Sequence, residues 1–424
     1  MMIEIRNVDD CEYSDKHGMY GGMSGLKDGL VIDGENWLVK YPKNAQYLAR
    51  HEEMEYTTDP ISEYITSHIY KELGYPVHET MLVERHGKIA VACKDFCEEN
   101  QVLMEIRTIK NSANRDLAER LERDFNSTGS THSVNIEEIL LHLEHNDILK
   151  DIPGIKERFW DMLIIDIYTN NNDRNNGNWG VIREKGHPDK LAPIFDNGGS
   201  LNGKTPDSRL SKLLENENVL SGSIVNGITS FCRMDTKPIA AKEILQYDNN
   251  DLKEAIIQNV PLIRDKADAI RDIINSIPDY ACSQVRKQFY NETLSMRYEK
   301  LLVPAYERCI AQMRCIDDSK RMNHPEKEVT HAINLFKEAK ENTQKFIKSG
   351  LSVQNMEYTR KAKELRKEAR DTLKDIIEKS DSYGMTCDEM KDYIKKQDKE
   401  NFVDLKELKD KNAAKLREDK SVGR

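Results

Sequence analysis

Residues 170–180 read NNNDRNNGNWG, and how this stretch is interpreted decides the fold. The apolar run FWDMLIIDIYT (159–169) leads into it, and the hairpin-like WGVIREKGHPDKLA carries the chain on to a second polar loop, PIFDNGGS, at 193–200. A single cluster of Asn, Asp and Gly is usually a turn, because these residues tolerate tight backbone geometry. Two clusters joined by a short hairpin and preceded by a buried helix ask for more. Asp173 and Asn178 are spaced as D-x-x-x-x-N, and Asp196 stands at the end of the hairpin. Phosphoryl transfer requires little covalent work from a protein. It needs a carboxylate to orient the attacking hydroxyl and a metal to neutralise developing charge. Asp173 is the candidate base; Asn178 and Asp196 are hard oxygen donors suited to Mg2+.

Toward the N-terminus the chain reads as strands around one helix. MIEIRNV alternates as a strand, and the glycine-rich HGMYGGMSGLKDG breaks every regular pattern. GLVI-DG-ENWLVKY is a hairpin turning on Asp33-Gly34, and VHETMLVER with KIAVACKDF is another, turning on His86-Gly87. Between them DPISEYITSHIYKELG is a helix, with Asp59 expected as its cap, Pro60 in its first turn and Gly74 at its end. Strand alternation puts Trp37 and Val39 on one face and Asn36, Leu38 and Lys40 on the other. Lys40 is the candidate grip on nucleotide phosphates, with Lys43 its nearest competitor. Glu63 is its expected partner, since Glu72 lies near the far end of the helix. Gly21, Gly22, Ser24 and Gly25 offer backbone N–H groups and a hydroxyl to phosphate oxygens. They form neither G-x-G-x-x-G nor a Walker A motif. By position, the segment from Ala92 through Lys94 to Phe96 is the candidate adenine contact.

The segments GMSGLKDGL, NWLVKYPK, DPISEYITSHIYKELGYPVHET, VACKDF, NNNDRNNGNWG and APIFDNGGSL span about 18–201. Together they resemble the HipA-like serine/threonine protein kinases, in the subgroup of free-standing CtkA-type proteins. The resemblance implies an α+β, two-lobed, protein-kinase-like fold: a β-rich nucleotide-binding N-lobe over 1–100 and a helical C-lobe over 101–320. It implies ATP and Mg2+ as cofactors, a protein Ser or Thr as acceptor, and autophosphorylation in or near the glycine-rich loop, at Ser24 here. Many members are toxins paired with a DNA-binding antitoxin, which makes an antitoxin a partner to look for. Asn175 departs from the His often found there.

Residues 321–424 lie outside the segments that carry the resemblance, and nothing about them is implied by it. They turn rich in Lys, Glu, Asp and Ala, with apolar stripes at helical spacing (Val329, Ile333, Phe336; Leu365, Ala369, Leu373, Ile376), and are read as a charged helical extension broken at Gly350 and Gly384. They hold 25 Lys and Arg against 21 Asp and Glu, so the tail carries +4 and the body −14. An acidic body argues against a general nucleic-acid binder. It also disfavours the alternative of a phosphatidylinositol-type lipid kinase; a nucleotide-binding pseudokinase or pure interaction protein is the other alternative. A mean hydropathy of -0.72 and the lack of any run of eighteen apolar residues point away from membranes. MMIEIRNVDD has no basic or apolar leader regions, and eight scattered cysteines without a CxxC pair read as reduced thiols, so the cytoplasm is the expected compartment.

Overall fold

A computed structural model describes residues 2–19, 27–48, 53–127, 134–233, 237–349 and 356–397. The chain divides into two compact units, 1–309 and 310–424.

The first unit begins with a five-stranded sheet. β1 (Arg6–Asn7), β2 (Lys27–Ile32) and β3 (Glu35–Lys40) precede helix α1 (Asp59–Glu72), and β4 (Thr80–Arg85) and β5 (Lys88–Lys94) follow it. Their spatial order is β1-β4-β5-β3-β2, antiparallel except where β1 runs parallel to β4. Asp33-Gly34 and His86-Gly87 take the positive φ values that two-residue hairpin turns demand. The long N-terminal strand read from MIEIRNV shrinks to Arg6–Asn7. Nor is Asp59 the cap of α1: Thr58 occupies that position without a side-chain bond, and Asp59 opens the first turn beside Pro60. Its carboxylate turns instead to Lys43 Nζ, 3.4 Å away.

The sheet is apolar on both faces. Leu30, Ile32, Trp37, Val39, Val83, Ala90 and Ala92 form a cluster on the outer face. Leu82, Val91 and Cys93 join Ile61, Ile65, Ile69 and Tyr70 of α1 in the main core. That core continues through the helical part: α2 (Ile106–Leu121), α3 (Ile136–His145), α4 (Ile155–Thr169), α5 (Asp207–Leu214), α6 (Glu217–Val225), α7 (Ala241–Ile244), α8 (Asn250–Asp265), α9 (Ala267–Asn275) and α10 (Gln284–Arg297). Asn135 caps α3 through bonds from the Glu137 and Glu138 N–H groups. α4 is buried on nearly every side, which is why its sequence lacks a polar face.

Two small sheets interrupt the helices. β6 (Gln101–Glu105) pairs with β8 (Gly180–Glu184), which pairs with β9 (Lys190–Leu191). β7 (Val134–Asn135) lies beside β10 (Ile228–Cys232), which pairs with β11 (Pro238–Ala240). The β8–β9 hairpin was legible in sequence, whereas its partner β6 lies in a stretch read as helical. Gly180 allows that pairing, because a Cβ there would sit 2.5 Å from the Met104 carbonyl oxygen.

Helix α11 runs from Val303 to Ser349 without ending at Pro325, and the boundary between units falls within it. In the second unit Val329, Ile333 and Phe336 pack with Ala369, Leu373 and Ile376 of α12 (Met356–Glu378) and with Met390 and Ile394 of α13 (Cys387–Gln397). Gly384 breaks the chain in left-handed conformation; Gly350 lies outside the described residues.

Candidate active site

The last residue of β3 is Lys40, on the inner face of the sheet. Its Nζ lies 3.1 Å from Glu63 Oε2 and 2.9 Å from Asp196 Oδ1. Glu63 is buried on α1, and its Oε1 accepts the Asn197 N–H at 2.9 Å and sits 3.1 Å from His78 Nε2. One carboxylate therefore joins the sheet, α1 and the loop that follows β9. Burial by itself would raise the Glu63 and Asp196 carboxyls. The Lys40 ammonium overrides it and holds both below the usual range. Burial pushes Lys40 down, yet the charges of Asp196 and Glu63 carry it well above an ordinary lysine. Lys43 and Glu72 are placed elsewhere, the first beside Asp59 and the second 2.9 Å from Lys266.

The ligand atoms of Glu63, His78 and Cys93 lie within 4.8 Å of one another. The cation this group faces is Lys40 itself, and burial keeps the Cys93 thiol protonated by driving its pKa far up.

Below the sheet, the order of the 170–180 loop comes from Arg174, which is fully buried. Its guanidinium pairs with Asp166 of α4, Nε to Oδ2 at 2.8 Å and Nη2 to Oδ1 at 3.1 Å. Nη1 donates to the carbonyls of both Asn178 and Phe195, each at 2.8 Å, and Nη2 donates to Asn197 Oδ1 at 2.6 Å. One side chain thus brings the end of the first polar loop against the start of the second, so that Asn178 and Asp196 become neighbours of a common anchor. Asn178 Nδ2 donates to the Asp173 carbonyl at 2.6 Å, and its Oδ1 accepts no hydrogen bond from another described residue. Asn175 Oδ1 takes the Gly177 N–H at 2.8 Å and braces the same loop.

Asp173 has its N–H on Asn171 Oδ1 at 3.1 Å, and its carboxylate accepts no hydrogen bond from another described residue. Gly199 presses against it: a Cβ there would fall 2.4 Å from Asp173 Cβ, so only glycine lets the second loop come this close. Burial raises the Asp173 pKa and the charge of Asp196 raises it further, while Lys204 and Lys43 act the other way. A cleft of about 230 Å3 opens beside Asp173.

The Ala92–Phe96 segment divides. Ala92 lies between Met81 and Val39 in the ladder with its side chain in the outer cluster, so neither its backbone nor its side chain is available to a base. It drops out of the candidate set, and Cys93 takes the inner face. The Lys94 N–H is spent on the Glu79 carbonyl at 2.9 Å, and its Nζ lies 3.4 Å from Glu35. The Phe96 ring is 5.8 Å from that of Phe195, immediately before Asp196. Gly21, Gly22, Ser24 and Gly25 lie outside the described residues.

Sequence reasoning missed Asp166, Arg174, His78 and Cys93. Asp166 carried a usable signal, since an acid inside an otherwise apolar helix is rarely buried without a partner.

No protein-family model matches the chain. It is 32% identical over 303 residues to the serine/threonine-protein kinase CtkA of Helicobacter pylori strain J99, covering 71% of this chain and 87% of that protein. The chain belongs to the HipA-like serine/threonine protein kinases. The crystal structure of a Helicobacter pylori proinflammatory kinase CtkA superimposes with a TM-score of 0.63 at 30% identity, over 73% of this kinase and 99% of that chain. The kinase-like α+β fold is shared with it. A Shewanella oneidensis HipA, from a complex with HipB and operator DNA, is more distant: TM-score 0.41 and 14% identity, over 68% of this kinase and 67% of that chain. Among the described residues of the kinase, no helix is long and apolar enough to cross a membrane.

Proposed function

We propose that this kinase transfers the γ-phosphoryl group of ATP, bound with Mg2+, to a serine or threonine hydroxyl of a protein, with Asp173 as the base. The observation that carries this reading is the Arg174 guanidinium holding the Asn178 and Phe195 carbonyls at once. It sets an amide oxygen and the Asp196 carboxylate beside Asp173, a donor set of hard oxygens that fits Mg2+. Asn178 and Asp196 would hold the ion, whose chemistry is to neutralise charge on the phosphate oxygens. Lys40, fixed by Glu63, meets the phosphates from the sheet side. Asp173, with its carboxylate uncommitted and raised in pKa by burial, orients the acceptor hydroxyl and takes its proton. Phe96 and the backbone beyond Lys94 would meet the adenine.

On this reading residues 1–100 bind nucleotide, 101–320 supply base and metal ligands, and 321–424 serve partner choice. Autophosphorylation of Ser24 belongs to the same proposal, as does an antitoxin partner, which rests on family membership alone. The test is incubation of the full chain with γ-labelled ATP, Mg2+ and cell lysate, followed by phosphosite mapping. Label on serine or threonine is expected, falling about a thousandfold in Asp173→Ala. Near-normal incorporation by that variant overturns the assignment of the base.

A further inference from the structure

The cleft beside Asp173 is walled by polar side chains, among them Asp59, Asn172, Asn202 and Thr205, together with the exposed Lys204. The backbone around Lys204 is tightly fastened. The carbonyl before it, of Gly203, accepts the Thr58 N–H at 2.9 Å, and the carbonyl after it, of Thr205, accepts from Arg286 Nη2 at 2.8 Å. The Thr205 N–H closes a turn on the Asn202 carbonyl at 2.9 Å, and Asn202 Oδ1 accepts from Asn170 Nδ2 at 2.9 Å. Arg286 is itself buried. Lys204 is thus a long cationic side chain on a fixed base at the cleft that holds the proposed base.

Its charges set it apart from its neighbours. Asp59 is committed to Lys43, and Lys40 to Glu63 and Asp196. The Lys204 side chain makes no hydrogen bond or ion pair with another described residue, yet it is close enough to act electrostatically on Asp173. The body around it is acidic, at −14 before residue 321, so a general attraction for anionic proteins is not available. Recognition of an anion here has to be local.

We propose that Lys204 is a specificity-determining residue, which selects acceptor peptides carrying a carboxylate side chain close to the serine or threonine that enters the cleft. This rests on the reading of Asp173 as the base. An ion pair at the rim positions the acceptor hydroxyl without touching the transferred phosphate, so its effect follows peptide sequence rather than nucleotide.

The experiment is a positional-scanning library of serine peptides, phosphorylated by the full-length kinase with Mg-ATP, for the wild type, Lys204→Met and Lys204→Glu. The wild type is expected to favour Asp or Glu over Lys at one or two flanking positions by about tenfold; Lys204→Met flattens the preference and Lys204→Glu reverses it. The KM for ATP stays constant across the three. Unchanged preferences in Lys204→Glu overturn the inference and leave the kinase reading intact. A uniform loss over all peptides, measured well above the acid limb where Asp173 is ionised, also overturns it, because Lys204 then acts on the step common to all peptides and not on their sequence. If the wild type labels peptides and Asp173→Ala labels them equally well, the base assignment falls and the inference falls with it.

Discussion

The loops at 170–200 and the helices at 329–394 are ordered by opposite means. The first are held by buried polar contacts: a guanidinium on a carboxylate, two carbonyls and an amide, and a lysine between two acids. The second are held by apolar stripes packed on one another, with charged pairs such as Lys379–Asp375 on the outside. Burying an ion pair is a poor way to gain stability, since desolvation offsets most of the attraction. It is a good way to fix directions, because every donor must find its acceptor or lose several kcal/mol. Apolar packing does the reverse: it stabilises over a broad range of shapes and aims nothing.

The sharpest way to break this contrast is Arg174→Met. Removing one partner of a buried pair leaves Asp166 uncompensated, and a loss of about 3–5 kcal/mol is expected in urea unfolding of the first unit. Phosphoryl transfer should vanish with it. A variant that stays folded and active would show that the loops hold their geometry by other means. Ile376→Ala probes the other region. Deleting a fully buried side chain there should cost about 2–4 kcal/mol of the second unit's stability while the transfer rate stays within twofold.

A smaller effect sharpens the comparison inside the site. Lys40→Met and Glu63→Gln should each raise the KM for ATP or lower turnover. Their double mutant should be less than additive, with a coupling of about 1–3 kcal/mol. Additive kinetics would separate two residues that stand 3.1 Å apart. A pH profile carries less energy but tests the base directly. The Asp173 pKa is raised above the ordinary 3.8, so the protonated, inactive form persists to higher pH than for a free aspartate. The acid limb of kcat/KM should therefore lie above the ordinary carboxylate range and move higher still in Lys204→Met, where a lowering charge is lost. A limb that does not shift removes Lys204 from the electrostatics of Asp173. Last, Lys379→Ala, at the exposed position just beyond the end of α12, should leave the unfolding midpoint unchanged, as changes at surface pairs generally do.

Much of this protein was already legible in local sequence. Period-2 alternation and the Asp33-Gly34 and His86-Gly87 turns specify the two hairpins. Proline and glycine bracket α1, and the five-residue step from Asp173 to Asn178 marks the loop. These signals act between residues a few positions apart, where backbone geometry alone relates them. Other features had no local signature. β6 is five residues whose pairing needs β8, almost eighty residues further on. In KIAVACK every residue from Ile89 to Cys93 is apolar, so alternation could not say which of Ala92 and Cys93 shares a face with Lys40. The register of β5 against β3 decided that. The contact of Lys40 with Asp196 spans 156 positions, and only the packing of α1 under the sheet, with Glu63 between them, brings the two together. Residue types, then, determined which chemistry the chain is able to perform. The tertiary structure decided which carbonyls Arg174 would reach and which carboxylates Lys40 would hold, because a buried charge is ordered only by partners that folding delivers from elsewhere in the chain.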